Sequence, residues 1–338
     1  VVRIVRRRVF SVPKKSRNSY GKVADTFSEA FAGLYIRLLI TGERGLRTQD
    51  KSNPGIEYDE LRLAAYRCTA TPSVVVGRTE GGIEKWLTRK QTPDGREGVI
   101  VQLWGMYKEN EDVAKQLDRF YKEMSIKIRQ DVLSVTTTRV FGLANSEDRL
   151  DKKNMVIDSE ERIGKCGGGY EWFSSEDGTE TINIPLMMGY DFKIDRHLAC
   201  GIGVSGGNIW LLCDSIETGR KAGRRAIEAI KQVEGVITPF YVCPSGSATE
   251  DYPPIGPPTN YTYCPTLRGK LKEKSKVASE VKSIPEIVID GTSLEAVKKA
   301  IKAAIDNVVD MDGVIQISAG NYEGKLGKYK IYLKELLN

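Results

Sequence analysis

The chain has 338 residues, 40% of them apolar, and a formal net charge of +6, enough apolar content for two domain-sized cores. No apolar run reaches the roughly 20 residues that a membrane-spanning helix needs, and Ile4-Val5 is too short for a signal-peptide core, so the expectation is a cytoplasmic protein with no membrane contact. Of the 51 Lys and Arg, eight lie in residues 1–22, which carry no acid, leaving 43 against 45 acids in the remainder; that balance argues against a nucleic-acid-binding body.

In chain order, the basic tail 1–22 reads as a solvated arm or as a contact for a polyanion or a neighbouring subunit. A strand follows at Ile36 to Thr41, then a helix around Tyr58 to Cys68 and a strand at Ser73 to Gly77. Beyond a loop come a strand at Val99 to Trp104, a helix, and a strand at Val132 to Thr138. In that helix Val113, Leu117, Phe120, Tyr121, Met124 and Ile128 recur at three- and four-residue steps, with Asn110 as the expected N-cap. The order is βαββαβ. Residues Gly142 to Gly206 fit no copy of this pattern and read as a linker with extra hairpins, including strands at Thr181 to Met187 and Tyr190 to Asp195.

The second half repeats the order. Strands are expected at Asn208 to Cys213 and Val236 to Cys243, around a helix at Gly219 to Val233. After the Pro-, Gly- and Ser-rich stretch Pro244 to Pro258, a long loop of the functional kind, come a strand at Glu286 to Asp290, a helix at Leu294 to Val309 and a strand at Val314 to Ser318. Thr292 with Glu295 forms a capping-box pattern. Two βαββαβ copies predict an α+β fold, internally duplicated, with two ferredoxin-like lobes and extra β-hairpins. The expected boundaries are a tail 1–22, an N-terminal lobe 23–145 and a C-terminal lobe 146–338 that carries inserted hairpins at 146–206. The chain closes on a turn dense in glycine, Gly320 to Gly327, leading into an alternating strand at Tyr329 to Leu333. Such a turn suits either a structural corner or a bound ligand.

Chemistry-bearing residues are few. The six cysteines, Cys68, Cys166, Cys200, Cys213, Cys243 and Cys264, include no Cys-x-x-Cys pair and indicate neither a zinc site nor a redox motif. His197 is the only histidine, which excludes any site that needs two. Gly201-Ile202-Gly203-Val204-Ser205-Gly206 matches the dinucleotide fingerprint by letters, but a strand rather than a helix follows it, so the match is accidental.

Several collinear stretches resemble the formylmethanofuran:tetrahydromethanopterin formyltransferase family. They are Asp25 to Phe31, Gln91-Thr92-Pro93-Asp94-Gly95-Arg96, Gly206-Gly207-Asn208, Val233-Glu234-Gly235, Thr259-Asn260 with Tyr263-Cys264-Pro265-Thr266, Glu286-Ile287-Val288-Ile289, and Ile317 to Asn321 with Gly324-Lys325-Leu326-Gly327. The resemblance implies transfer of a formyl group from formylmethanofuran to N5 of tetrahydromethanopterin through a tetrahedral intermediate, with no metal and no permanently bound cofactor. It also implies a homo-oligomer, dimer or tetramer, with other subunits of a C1 enzyme complex as possible partners. The family's catalytic glutamate falls on Glu286, where strand alternation groups it with Val288 and Asp290, and partial burial would raise its pKa. Thr259, Asn260, Tyr263 and Cys264 are expected to hold substrate, and nothing nearby in sequence activates Cys264 as a nucleophile. Ser318 is expected to contact substrate; for Asn321 and the Gly320 and Gly324 backbone, substrate contact and a structural corner stay open. Lys325 would meet anionic groups, since both carriers bear carboxylates and one a phosphate, or form a surface ion pair. The chain departs from the family pattern at Val76 to Ile83, at Thr136 to Phe141 and at Asp214 to Gly219, and carries an insertion around Leu46 to Glu57. The alternative is therefore a catalytically silent or substrate-altered paralogue acting as a scaffold or subunit of a formyltransferase-hydrolase type complex.

Overall fold

The computed structural model describes residues 17–43, 59–74, 77–143, 155–176, 178–244, 246 and 260–337. The chain divides into two compact units, one formed by Leu34–Ile202 and the other by residues 17–33 together with 203–337. This is not the boundary expected from the sequence. The hairpins assigned to the C-terminal lobe cluster with the first unit, and the residues just after position 22 cluster with the second.

In the first unit the long strand β1 (Phe27–Gly42) supplies its C-terminal part. It is followed by α1 (Glu60–Thr69), β2 (Thr79–Leu87), β3 (Glu97–Met106), α2 (Val113–Lys127) and β4 (Arg139–Leu143). The strands lie in the order β2-β3-β1-β4, with β2 antiparallel to β3 and β4 antiparallel to β1. Alternation sorts the faces: Leu34, Ile36, Leu38, Ile40, Val99, Val101 and Leu103 share one core with Leu61, Ala65, Phe120 and Met124 of the helices. On the other face, Arg37 donates to both carboxylate oxygens of Glu84 at 2.9 and 2.6 Å, and Gln102 donates to Glu84 at 2.7 Å. The added strands are β5 (Val156–Asp158), β6 (Trp172–Glu176), β7 (Thr179–Leu186) and β8 (Tyr190–Asp195). They extend the sheet past β4, through a parallel β4–β8 pair, while β5 pairs with the start of β9 (His197–Cys213).

Three expectations are corrected here. Of the strand placed at Ser73 to Gly77, Val75 and Val76 lie outside the described residues; the strand that follows α1 is β2, whose buried Glu80 and Glu84 and whose Gly81-Gly82 pair disguise it as a loop. The segment expected as a strand at Val132 to Thr138 begins as a wide helical turn over Ile128–Leu133, because Ile128 and Val132 continue the buried stripe of α2; β4 starts only at Arg139. The N-cap of α2 is Asp112, not Asn110, and accepts the N–H of Lys115 at 2.9 Å.

The second unit contains the remainder of β9, then α3 (Ile216–Ile230), β10 (Val236–Ile237), the single turn α4 (Arg268–Leu271), β11 (Glu286–Gly291), α5 (Leu294–Val308), β12 (Val314–Ser318) and β13 (Tyr329–Tyr332). Its strands run β12-β9-β11-β10, antiparallel at each pairing, the same succession of helices and strands as in the first unit. Ile209, Leu211, Ile287 and Ile289 face the apolar stripes of α3 and α5, and Trp210 and Leu212 point the other way, against Val277 and Val281. Ser215 caps α3, and Ser293 rather than Thr292 caps α5. The strand expected to run from Val236 to Cys243 ends at Ile237, and Cys243 returns only as a bridge to Glu286. β13 pairs with Phe27 to Ala30 of β1.

Candidate active site

A cavity of about 600 Å³ opens in the second unit, within the range typical of small-molecule sites. Its floor is the start of β11 and the middle of β9, its flank is α3, and its rim is formed by residues 260–266 and 283–285. Glu286 stands at the floor, the only acidic lining residue among the described residues. The main chain fixes it there, since Glu286 and Cys243 exchange two N–H···O bonds, both 2.8 Å. The indole N–H of Trp210 donates to Oε1 at 2.8 Å, and Oε2 has no partner among the described residues. Burial pushes the Glu286 carboxyl up to about 7, against the Trp210 bond, which pulls it down. Desolvation outweighs one hydrogen bond because it penalises the whole charge.

Trp210 is held as tightly as the group it holds. Its ring meets Tyr263 edge-on with centroids 4.8 Å apart, and a Cβ on Gly320 would stand 3.0 Å from the indole. Asn260 opens the rim: its N–H donates to the Gly246 carbonyl at 2.6 Å, and its Oδ1 accepts from the Thr262 hydroxyl at 3.0 Å. That leaves the Asn260 side-chain amide as an unused donor among the described residues. Cys264 also lines the cavity, but burial raises its thiol pKa and its Sγ donates to the Asn260 carbonyl at 3.5 Å, so it is a poor thiolate.

The structure thus brings Glu286, Asn260, Tyr263 and Cys264 to one cavity and separates the other expected residues from it. Thr259 lies outside the described residues. Ser318 pairs across from Trp210 in the sheet. Gly320 is locked by Asn208, whose side chain accepts its N–H at 2.6 Å and donates to its carbonyl at 3.1 Å. Asn321 donates to Thr26 and to the Phe27 carbonyl, both at 3.1 Å. The turn that follows wraps a buried carboxylate: Glu29 accepts the N–H groups of Tyr322, Gly324 and Leu326 at 2.7, 2.9 and 2.7 Å, and that of Gly327. Lys325 is exposed and paired with Glu323. The glycine-dense turn is thus folded around Glu29.

Trp210, Arg220 and Arg224 are among the lining residues that sequence reasoning missed. Trp210 was legible as the large residue on the face of β9 opposite Ile209 and Leu211. Arg220 and Arg224 lie one turn apart on α3, and what brings them to the cavity is the close approach of that helix. A Cβ on Gly223 would come within 2.9 Å of Val242, and one on Gly219 within 2.5 Å of the Ser283 hydroxyl. His197, exposed at the start of β9, is not among the lining residues. Among the described residues no group of three or more His, Cys, Asp or Glu is placed to hold a metal ion, and no helix is long and apolar enough to cross a membrane.

Family models match both parts of the chain: formylmethanofuran-tetrahydromethanopterin formyltransferase over residues 18–186 and the proximal lobe of the same family over 190–336. The chain belongs to this formyltransferase family. A formyltransferase-like protein of Archaeoglobus fulgidus is 46% identical over 93% of this chain and 96% of its own. A formylmethanofuran–tetrahydromethanopterin formyltransferase of Methanothermobacter thermautotrophicus is 34% identical over 93% and 98%. Among solved structures, the formyltransferase of Methanosarcina barkeri superposes with a TM-score of 0.78 at 30% identity, covering 95% of this chain and all of that one. A formyltransferase/hydrolase complex from Methylorubrum extorquens, bound to methylofuran, matches with a TM-score of 0.76 at 27% identity, over 94% and 96%.

Proposed function

We propose that this formyltransferase-family protein moves a formyl group from formylmethanofuran to N5 of tetrahydromethanopterin, with Glu286 as its proton-transferring residue. The observation that carries the reading is a carboxyl with a pKa near 7, anchored through one oxygen by Trp210 and presenting the other at the floor of a substrate-sized cavity. Attack of N5 on the formamide carbon forms a C–N bond and places negative charge on the formyl oxygen. Collapse of that intermediate breaks the bond to the methanofuran nitrogen, which must gain a proton while N5 loses one. A carboxyl raised by burial toward neutrality can serve both transfers. The free amide of Asn260 is a donor for the oxyanion, and the Tyr263 ring offers a flat apolar wall.

The protein incubated with both carriers should produce formyl-tetrahydromethanopterin in a steady-state assay, and Glu286→Gln should slow that production about 10²- to 10⁴-fold. A folded wild type that binds the carriers without turning them over would overturn the catalytic reading. One observation favours the second reading, a silent or substrate-altered paralogue within a larger complex: relatives at 46% and 44% identity carry the name formyltransferase-like, against 34% for a named formyltransferase. Stable co-purification with partner subunits, without carrier turnover, would establish it.

A further inference from the structure

The cavity is electrically divided. Its charged lining residues are Glu286 on the floor and Arg220 and Arg224 on the helical wall. The Glu286 pKa is set by burial and by Trp210, with no contribution from either guanidinium, so the arginines do not serve as counter-ions to the floor. Nor are they engaged elsewhere: neither forms a hydrogen bond or ion pair among the described residues. Glu217, the acid on α3 whose field reaches Arg220, is bonded to Lys221 at 2.6 Å. Both arginines are exposed and lie past the first turn of α3, out of reach of the dipole at its N-terminus. Both line this cavity.

We propose that Arg220 and Arg224 form an anion clamp that takes a carboxylate or phosphate of a C1 carrier, holding it so that its reacting end reaches Glu286. The clamp rests on the reading of the cavity as the carrier site. Two guanidinium forks one helical turn apart can hold an oxyanion through several charge-assisted hydrogen bonds, which fixes orientation as well as affinity. The close approach of α3, permitted by Gly219 and Gly223, is what presents both forks to the cavity. The clamp grips a group that does not react, so most of its binding is common to ground and transition states, and its loss should appear chiefly in affinity.

The test is calorimetric titration of each carrier separately into the wild type, Arg220→Gln/Arg224→Gln and Arg220→Lys/Arg224→Lys, with folding checked by circular dichroism and turnover measured at saturating carrier. The carrier held by the clamp should bind about 10- to 100-fold more weakly to the double glutamine variant and regain part of that loss in the lysine variant, with kcat within a few-fold of wild type. The other carrier should be unaffected, and the affected one tells a carboxylate-only ligand from a phosphate-bearing one. Unchanged affinity for both carriers, or a fall in kcat without a change in affinity, overturns the clamp. Should wild type bind a carrier without turnover, the catalytic reading fails while the affinity loss still decides the clamp. If neither carrier binds, titration with glutarate and with inorganic phosphate decides: binding lost in the glutamine variant retains the clamp for another anion, and no binding overturns it.

Discussion

The indole nitrogen of Trp210 donates to Oε1 of Glu286 at 2.8 Å, joining neighbouring strands at the one point where β9 and β11 both face the cavity. This bond opposes the effect of burial on the carboxyl. Trp210→Phe keeps an aromatic ring against Tyr263 and removes the donor. The Glu286 pKa should then move further up, by roughly one unit for a hydrogen bond of about 1.5 kcal/mol to a charged acceptor. A group that acts as an acid loses activity as pH rises through its pKa, so the alkaline limb of the kcat profile should shift to higher pH by that amount. An unshifted limb would show that another group sets it.

Glu286 should also write itself into the pH dependence of stability. Below about pH 4.5 the carboxyl is protonated in both the folded and the unfolded chain. Between that value and about 7 the unfolded chain ionises while the folded one keeps its proton, so stability falls as pH rises through this window and is level above it. The fall is at most about 3 kcal/mol. Glu286→Gln should flatten this slope and leave the protein more stable than wild type at pH 8, measured by denaturant unfolding at several pH values.

Much of this was legible in the sequence, and the gaps have physical causes. The helices α2 and α5 follow from three- and four-residue spacing, because their apolar stripes pack on one sheet face and nothing competes with the pattern. β2 escaped because Glu80 and Glu84 are buried polar residues, inverting the alternation on which strand reading depends. Glu286, Asn260, Tyr263 and Cys264 were named from resemblance, and the cavity unites them through the Cys243 bridge and the turn at Asn260, neither of which has a periodicity to read. No periodicity separates the arginines of α3 from a solvated helix face; the approach of Gly219 and Gly223 to their neighbours does.

The glycine-dense turn leads to a prediction about Glu29. Burial raises its pKa, but the backbone N–H groups of Gly327, Tyr322, Leu326 and Gly324 outweigh that and hold the carboxyl below its ordinary value. Its stabilisation is therefore present above the carboxylate range and lost as pH falls through the folded-state pKa, opposite in sign to Glu286. Glu29→Gln would leave at most one acceptor oxygen for these donors and introduce an amide that must find its own partner. A loss of roughly 3 kcal/mol at neutral pH is expected, with a shallower acid limb, both read from denaturant unfolding. If the turn instead served the carriers, stability would be little changed and affinity would fall.

Gly320 connects that turn to the candidate active site. A Cβ there would stand 3.0 Å from one carbon of the Trp210 indole, 3.1 Å from another and 3.2 Å from Oδ1 of Asn208, all tighter than ordinary van der Waals contact. The main chain at this point is held on both sides by Asn208, so the added methyl can be relieved chiefly by tilting the indole. Tilting lengthens the bond to Glu286 and disturbs the edge-on contact with Tyr263. Gly320→Ala should therefore fold with a modest loss of about 1–2 kcal/mol, in the range of overpacked sites, and should reproduce the direction of the Trp210→Phe shift in the pH profile. The combination of Gly320→Ala with Trp210→Phe should give no larger shift than Trp210→Phe alone, because both act through the same hydrogen bond. Additive shifts would show that Gly320 reaches the carboxyl by another route.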